Sequence, residues 1–503
     1  MDKENENTNE QTTKSISIKK NYIYSLVYKL VAVFVPLLVT PYLARVLGAD
    51  GNGTISYVAS IASYFIVAAN LGIETYGQKV IAIHREDSSY LKKIVIEISI
   101  MRTIITLVCM LFYYFFFVSD FNQENNVLYA IYIINIVSVV LDFSWFFQGI
   151  ENFRLLACVN IISRISYIAA TFIFVHKKSD LELASLINLI SLILPYIFSF
   201  PFIFKYIKGK ISGKINPFIH LKECLIYFIP TIAVQLYTVV DKTMIGIITQ
   251  SDFENGYYEQ ADKIIKLPLT MVTTLNIIMR SRIAYHYAKN EYNEIQDLIK
   301  KSTNIMFMLT FPMMFGLIAV SRTFVPIYLG EGYDKCITLI YVLSPLLPII
   351  GISNLIGTHY YTPCDKQWLS TIFLFIGAFV NIVLNSFLIM LLQSIGAAIA
   401  SVIAELTVTI LYIIFARRFI SFRQMIKISA KYLIASIIMF VPVFFLNLLL
   451  PHDILFLILE ILLGIFLYFI VLLLLRTRFV FNLLNSFLKK LRRKKKGENN
   501  GYK

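Results

Sequence analysis

ILFLILEILLGIFLYFIVLLLL, residues Ile454–Leu475, carries one charged side chain, Glu460, in a run long enough to cross the hydrocarbon core of a bilayer as a helix. Hydrocarbon offers backbone N–H and C=O groups no water, so such a run predicts a structure that satisfies them internally. Outward from it, similar runs recur along the whole chain and give about fourteen spans. They lie at approximately 22–44, 54–76, 94–118, 127–148, 155–175, 183–205, 223–248, 263–285, 303–326, 337–358, 368–391, 395–416, 430–450 and 454–475. The fold class is an all-α polytopic membrane protein.

Composition agrees. The 503 residues are 57% hydrophobic, with mean hydropathy +0.70, far outside the soluble range. Lys and Arg collect in every second gap, about 35 of the 46 on the side this bias makes cytoplasmic, which puts both termini inside. The net charge of +15 therefore needs no nucleic acid; basic loop ends facing anionic lipid headgroups account for it. The gaps on the opposite side are 48–52, 119–126, 176–182, 251–261, 330–335, 393–394 and 451–453. The first apolar segment is too long for a signal peptide and reads as an uncleaved span. Cys109, Cys158, Cys224, Cys336 and Cys364 lack metal or redox spacing, and the six histidines are not paired at helical spacing, so neither a metal nor another cofactor is expected.

Two inside gaps, 78–93 and 286–302, resemble surface helices and follow the second and eighth spans. After span one comes Leu47-Gly48 and then Gly53 and Tyr57; after span seven comes Ile245-Gly246 and then Gly256-Tyr257-Tyr258. This recurrence predicts duplication: an N-lobe over 21–208 and a C-lobe over 209–427, six helices each, around a central cavity. Residues 428–476 add two helices, 1–20 form a cytoplasmic tail, and 477–503 form a basic one.

Polar residues inside the spans fall at steps of three or four, so each helix presents one wet side. The stripes include Ser25 and Lys29; Ser56, Ser60, Ser63, Asn70 and Glu74; Asn135, Ser138, Asp142 and Trp145; Gln235, Thr238 and Lys242; and Lys263, Lys266, Thr270 and Thr273. Hydroxyls alone would fit hydrogen bonding between packed helices. Charges near mid-bilayer cost roughly 2.5–3.5 kcal/mol each even on lenient scales, so Lys29, Arg102, Asp142, Arg164, Asp241, Lys242 and Glu405 argue for a hydrated cavity. Adjacent Asp241 and Lys242 point about 100° apart on a helix and need separate partners. Glu460 reads as a packing feature.

Several segments resemble the Wzx-type oligosaccharide-lipid flippases of the multidrug/oligosaccharidyl-lipid/polysaccharide exporter superfamily. The sharpest are Asp142-Phe-Ser-Trp-Phe-Phe-Gln-Gly-Ile-Glu-Asn-Phe-Arg154, Val240-Asp-Lys-Thr-Met-Ile-Gly246 and Gly256-Tyr-Tyr-Glu-Gln-Ala-Asp-Lys-Ile264. Weaker ones are Leu47-Gly-Ala-Asp-Gly-Asn-Gly53 and Gly396-Ala-Ala-Ile-Ala-Ser-Val-Ile-Ala-Glu405, and the likeness covers essentially the whole chain. One departure is Ile277-Ile-Met-Arg-Ser-Arg282, which lacks the proline usual in that region of span 8.

The resemblance implies a non-enzymatic transporter with a cationic vestibule that opens alternately to each side of the cell membrane. Its implied cargo is a sugar repeat unit on undecaprenyl pyrophosphate, moved to the outer leaflet for capsule, O-antigen or exopolysaccharide synthesis. Membrane lipids, and a polymerase or glycosyltransferases of the same pathway, are the implied partners. Under that reading Lys29, Arg164, Lys242, Lys263 and Lys266 receive the pyrophosphate or acidic sugars, since Lys supplies a mobile point charge and Arg a planar fork. Asn70, Asn135, Gln235, Thr238 and Thr270 replace water around sugar hydroxyls. Asp142, Asp241 and Glu405 either couple movement to protons or form fixed salt bridges. Aromatic residues such as Tyr57, Trp145, Tyr237, Tyr257 and Tyr258 either stack on sugars or pack.

Two rivals predict other features. An ion-coupled drug antiporter of the same superfamily favours an acidic or apolar cavity, and here Lys and Arg outnumber carboxylates. A membrane polysaccharide polymerase normally presents a large outer loop with catalytic groups; the longest outer gap has about a dozen residues and no nucleophile motif. The run 479–496 reads as an amphipathic surface helix held by anionic lipids.

Overall fold

The computed structural model describes residues 18–120, 125–208, 211, 213–417, 419–477 and 479–482, with the backbone alone for 18–34, 237, 274–278 and 280–281. Every regular element among them is helical. The first half holds α1 (Ile18–Asn70), α2 (Ile73–Ile83), α3 (Ser88–Phe117), α4 (Asn126–Leu141), α5 (Ser144–Gly149), α6 (Phe153–Phe174) and α7 (Leu181–Ser199). The second holds α8 (Leu221–Thr249), α9 (Asp252–Ala288), α10 (Tyr292–Leu329), α11 (Asp334–Leu343), α12 (Leu346–Ile356), α13 (Gln367–Leu392) and α14 (Ser394–Ala416). Last come α15 (Phe422–Leu449) and α16 (Ile454–Leu474). The predicted tail helix 479–496 is described only over 479–482, and the predicted tail 1–20 only over 18–20, which begin α1.

Twelve described segments are helical and apolar enough to cross a membrane. Their outward faces expose large apolar side chains such as Phe116, Phe379, Phe387, Leu391 and Phe466, a surface that suits lipid and not water. The protein is a multi-pass membrane protein. Its twelve segments differ from the fourteen predicted spans for two physical reasons. Val35–Ile83 joins the first two spans, because α1 continues through 48–52 and breaks its geometry only at Gly48 (φ 73°, ψ 178°), a conformation essentially confined to glycine. The eighth span is α9, whose fully described part, 252–273, carries Glu259, Asp262, Lys263 and Lys266 and so holds no apolar window.

Other boundaries move as well. The predicted outer gap 251–261 is helical from Asp252 onward. Span four breaks after Leu141, where Asp142 turns extended (φ −78°, ψ 100°) before the short α5. Span ten is α11, α12 and a π-helical turn at Gly357–Tyr361, interrupted at Ser344-Pro345. Neither predicted surface helix is a single element: 78–93 divides between the end of α2 and the start of α3, and 286–302 between the end of α9 and the start of α10.

Helices α1, α3, α4 and α7 pack around Val58, Tyr113, Tyr129, Tyr132 and Ile136, and α6 packs on α1 and α7. Helices α9–α14 enclose a second core, with α8 lying against α13. Helices α15 and α16 pack on α10. There Asn447 Nδ2 donates to Glu460 Oε2 (2.8 Å) and Thr323 Oγ1 (2.8 Å), so the lone carboxylate of α16 ties it to its neighbours.

The halves meet where α1 crosses α9. A Cβ on Gly53 would fall on the Asp252 carbonyl oxygen, and one on Gly256 on that of Ala49. Glycine is required at both, since backbone cannot yield as a flexible side chain can. Each half supports its glycine alike. Asn52 Nδ2 donates back to the carbonyls of Leu43 (3.1 Å) and Gly48 (2.8 Å), and Asn255 Nδ2 to that of Lys242 (2.8 Å).

Candidate functional site: two polar cavities along α1

Below the crossing, the stripe Ser56, Ser60, Ser63 and Asn70 of α1 turns inward toward α4, α6 and α7. Those helices contribute Tyr132, Asn135 and Ser138; Asn160, Arg164 and Tyr167; and Ser185, Asn188 and Ser191. Two cavities follow this stripe. One of about 320 Å³ lies nearer Gly48 and includes Lys242, Glu259 and Lys263. The other, about 630 Å³, lies nearer Gly72 and includes Asn70, Glu74, Arg102, Asn135, Asp142 and Arg164. Amides and hydroxyls at successive helical turns suit a ligand rich in hydroxyls, because each replaces a water lost on entry.

Arg102 is fully buried in the larger cavity's wall. It donates to the carbonyl of Asp142 and to Asn70 Oδ1 (2.9 Å), and stands 3.7 Å from Asp142 Oδ2. Asp142 Oδ1 accepts in turn from the backbone and hydroxyl of Ser144. The break after α4 therefore exposes a carbonyl that Arg102 covers, and Asp142 stands in a fixed salt bridge. Arg164 lines the same cavity half-buried, with no ion-pair partner among the described residues.

The lysines predicted as receptors for anions have carboxylate partners. Lys242 Nζ lies 2.5 Å from Glu259 Oε2 and 3.5 Å from Asp262 Oδ2. Lys263 reaches Glu259 (3.0 Å) and Lys266 reaches Asp262 (2.6 Å). Ser56 donates to Glu259 from α1 (3.0 Å). Three ammonium groups against two carboxylates leave one net positive charge, with Lys263 and Lys266 at 41% and 49% exposure forming the accessible rim. Residues 259, 262, 263 and 266 share one face of α9 through i,i+3 and i,i+4 steps. That spacing was present in the sequence, and it carries the two carboxylates missing from the predicted set.

Asp241 points away from Lys242, as their 100° separation requires. Buried against α13 and α14, it accepts from Tyr258 (2.6 Å), Asn381 (3.0 Å), Asn385 (2.7 Å) and Ser401, and lines neither cavity. Glu405 accepts from Ser353 (2.7 Å) between α12 and α14, also away from both. Gln235, Thr238 and Thr270 line neither cavity; the two threonines bond back to their own helices. Lys29 lies in the first arm of α1, where only the backbone is described. Trp145 is buried and packs beside Phe143 and Phe146 instead of lining either cavity.

Hydrogen bonds between the halves are concentrated at the Gly48 end. Thr54 donates to Asp252 (2.6 Å), Tyr333 to the Ala44 carbonyl (3.0 Å), and Tyr328 to that of Leu37 (3.1 Å). Deeper in, Ser60 and Tyr64 meet the Thr243 hydroxyl (2.9 and 3.0 Å). At the Gly72 end the described bonds run only to the connector and first turns of α8: Asn216 and His220 to Glu97, Tyr76 to His220, Lys79 to Tyr227. Among the described residues the halves therefore meet at the Gly48 end through a direct α1–α9 contact, and at the Gly72 end through α8, where a Cβ on Gly72 would fall on the Cys224 carbonyl oxygen.

Residues 18–279 match the model of a family described as polysaccharide biosynthesis protein. A putative O-antigen transporter of Escherichia coli (strain K12) is 26% identical over 417 residues, 80% of this chain and 98% of the relative. A probable low-salt glycan biosynthesis flippase of Haloferax volcanii is 21% identical over 266 residues, 53% of this chain and 55% of that one. Among solved structures, the inward closed conformation of the lipid II flippase MurJ superposes with TM-score 0.72 at 20% identity, covering 90% of this chain and 98% of MurJ. An inward-facing multidrug resistance MATE family transporter superposes at 0.56 with 14% identity, covering 82% and 95%.

Proposed function

The chain belongs to the polysaccharide biosynthesis protein family, and from that premise we propose that it is a flippase for oligosaccharide units linked to a polyprenyl pyrophosphate. It carries them from the inner to the outer leaflet of the cell membrane by alternating access, for a surface polysaccharide. The observation that carries this reading is a pair of cavities lined with amides and hydroxyls along one stripe of α1 inside a lipid-facing bundle, with α1 and α9 in backbone contact at the Gly48 end. The relatives named as an O-antigen transporter and a glycan biosynthesis flippase support it.

In this reading the chain crosses the bilayer fourteen times, with both termini cytoplasmic and the Gly48 end outward. Residues 21–208 and 209–427 act as two six-helix lobes and 428–476 as an appendage. Asn70, Asn135 and their neighbours hold sugar hydroxyls. Lys263, Lys266 and Arg164 draw the pyrophosphate, with Lys242 holding Glu259 and Asp262 in place and Lys29 contributing from α1. Asp142, Asp241 and Glu405 are the carboxylates available to couple transport to protons. The polyprenyl tail stays in lipid, so the cavities open sideways between helices. No covalent step is assigned.

The test is a leaflet-resolved assay of the lipid-linked repeat unit in cells lacking the protein. The unit is expected to accumulate in the inner leaflet and to appear outside on complementation. Unchanged outer-leaflet appearance without the protein would contradict the assignment.

A further inference from the structure

A third hollow, of about 530 Å³, lies at the Gly72 ends of α10, α15 and α16 and shares no lining residue with the two cavities along α1. Its wall brings together Lys300 and Lys301 of α10, Lys427 and Lys431 of α15, and Arg476 just after α16, with Asp297 as the single carboxylate. None of these five cations is ion-paired among the described residues, in contrast to Lys242, Lys263 and Lys266. Among the described residues, only Lys431 has a protein acceptor here, the Leu475 carbonyl at 3.2 Å. Converging cations repel one another, and an anion seated among them removes that cost.

The shape of the site selects the anion. On α15, Lys427 and Lys431 continue in helical steps to Ile434, Ile438, Val441 and Phe445, all apolar and between 45% and 58% exposed. One helix face thus carries ammonium groups at the membrane surface and a bare apolar track below it, the pattern of a headgroup with its chains. The chain's own tail is a poor occupant, since after Asn482 it adds Lys489, Lys490, Arg492, Arg493 and Lys494–Lys496 before Glu498. We propose that this hollow binds the phosphate-bearing headgroup of an anionic membrane lipid, whose acyl chains lie along the Ile434–Phe445 face of α15. Basic pockets between transmembrane helices bind such headgroups elsewhere. This site does not depend on the flippase reading.

The test uses the full chain purified in a zwitterionic detergent and titrated with phosphatidylglycerol, phosphatidylcholine or inorganic phosphate, with binding read by native mass spectrometry. The variant Lys300→Gln/Lys427→Gln/Arg476→Gln is expected to bind phosphatidylglycerol ~100-fold more weakly, from about 1 kcal/mol per basic residue. Lys205→Gln/Lys208→Gln/Lys214→Gln, which removes three charges from another surface, serves as the control and should bind as the parent does. Should the triple variant not fold, each single substitution is expected to lose about five-fold. Parental affinity in the pocket variants, or phosphatidylcholine binding as tightly as phosphatidylglycerol, would overturn the proposal. Inorganic phosphate binding as tightly as phosphatidylglycerol would overturn it too, since the hollow would then be a free-phosphate site.

Discussion

Lys242→Met is expected to destabilise the folded chain by about 3 kcal/mol, the lower end of the cost of breaking a buried ion pair, and to lower outward transfer. The lower end applies because Glu259 and Asp262 each keep a lysine one turn along α9. Transfer falls for a separate reason: the net charge of the Lys242–Glu259–Asp262–Lys263–Lys266 cluster drops from +1 to zero, which weakens its attraction for a pyrophosphate. These effects separate in a double-mutant cycle. Glu259→Gln added to Lys242→Met restores a net charge of +1 and removes the carboxylate that lost its closest partner. The double variant is expected to be more stable than Lys242→Met alone by about 1 kcal/mol or more, and to regain part of the transfer. Strict additivity in stability, with transfer lost equally in both variants, would show that Lys242 acts alone.

Gly256→Ala should act on the equilibrium between the sealed and open forms. The added methyl group meets the Ala49 backbone, so α1 and α9 must separate. Overpacking of this kind costs roughly 1–3 kcal/mol, paid only by the form in which the helices touch. The sealed form then loses about 5- to 150-fold in population relative to the open one. A cysteine placed at Ser56, buried just below the crossing, reads this directly. Its labelling by an impermeant maleimide from the Gly48 side should accelerate by that factor, and transfer should fall because that end no longer reseals. An unchanged labelling rate would mean that the α1–α9 contact is not what closes this end.

The membrane architecture was legible because a run such as Ile454–Leu475 leaves the backbone little choice. Polar stripes were equally legible where they are long, and Asn70, Asn135, Asp142 and Arg164 do share one cavity. Partnership was harder to read. Helical spacing says which side of α8 carries Lys242, but not that α9 brings Glu259 to within 2.5 Å of it. The same limit applies to Asp241, whose acceptor role toward Asn381, Asn385 and Ser401 joins helices more than a hundred residues apart. Gln235, Thr238 and Thr270 line neither cavity although Lys242 and Lys263 of the same stripes line the smaller one, because helical periodicity defines a wet face without saying how far along it a cavity runs. Helix breaks at Gly48 and after Leu141 are local changes of backbone direction that hydropathy does not register.

If cargo crosses through these cavities, the α1–α9 contact at the Gly48 end must open and close. Thr54 and Asp252 touch across that end at 2.6 Å, so Thr54→Cys/Asp252→Cys, with the five native cysteines replaced by alanine, provides a reversible lock. The decisive measurement is leaflet-resolved transfer of a polyprenyl-pyrophosphate-linked oligosaccharide in proteoliposomes, with the two thiols joined and then released. Transfer should stop when the cross-link forms and return on reduction. Transfer at the parental rate through a fully cross-linked population would contradict movement through these cavities.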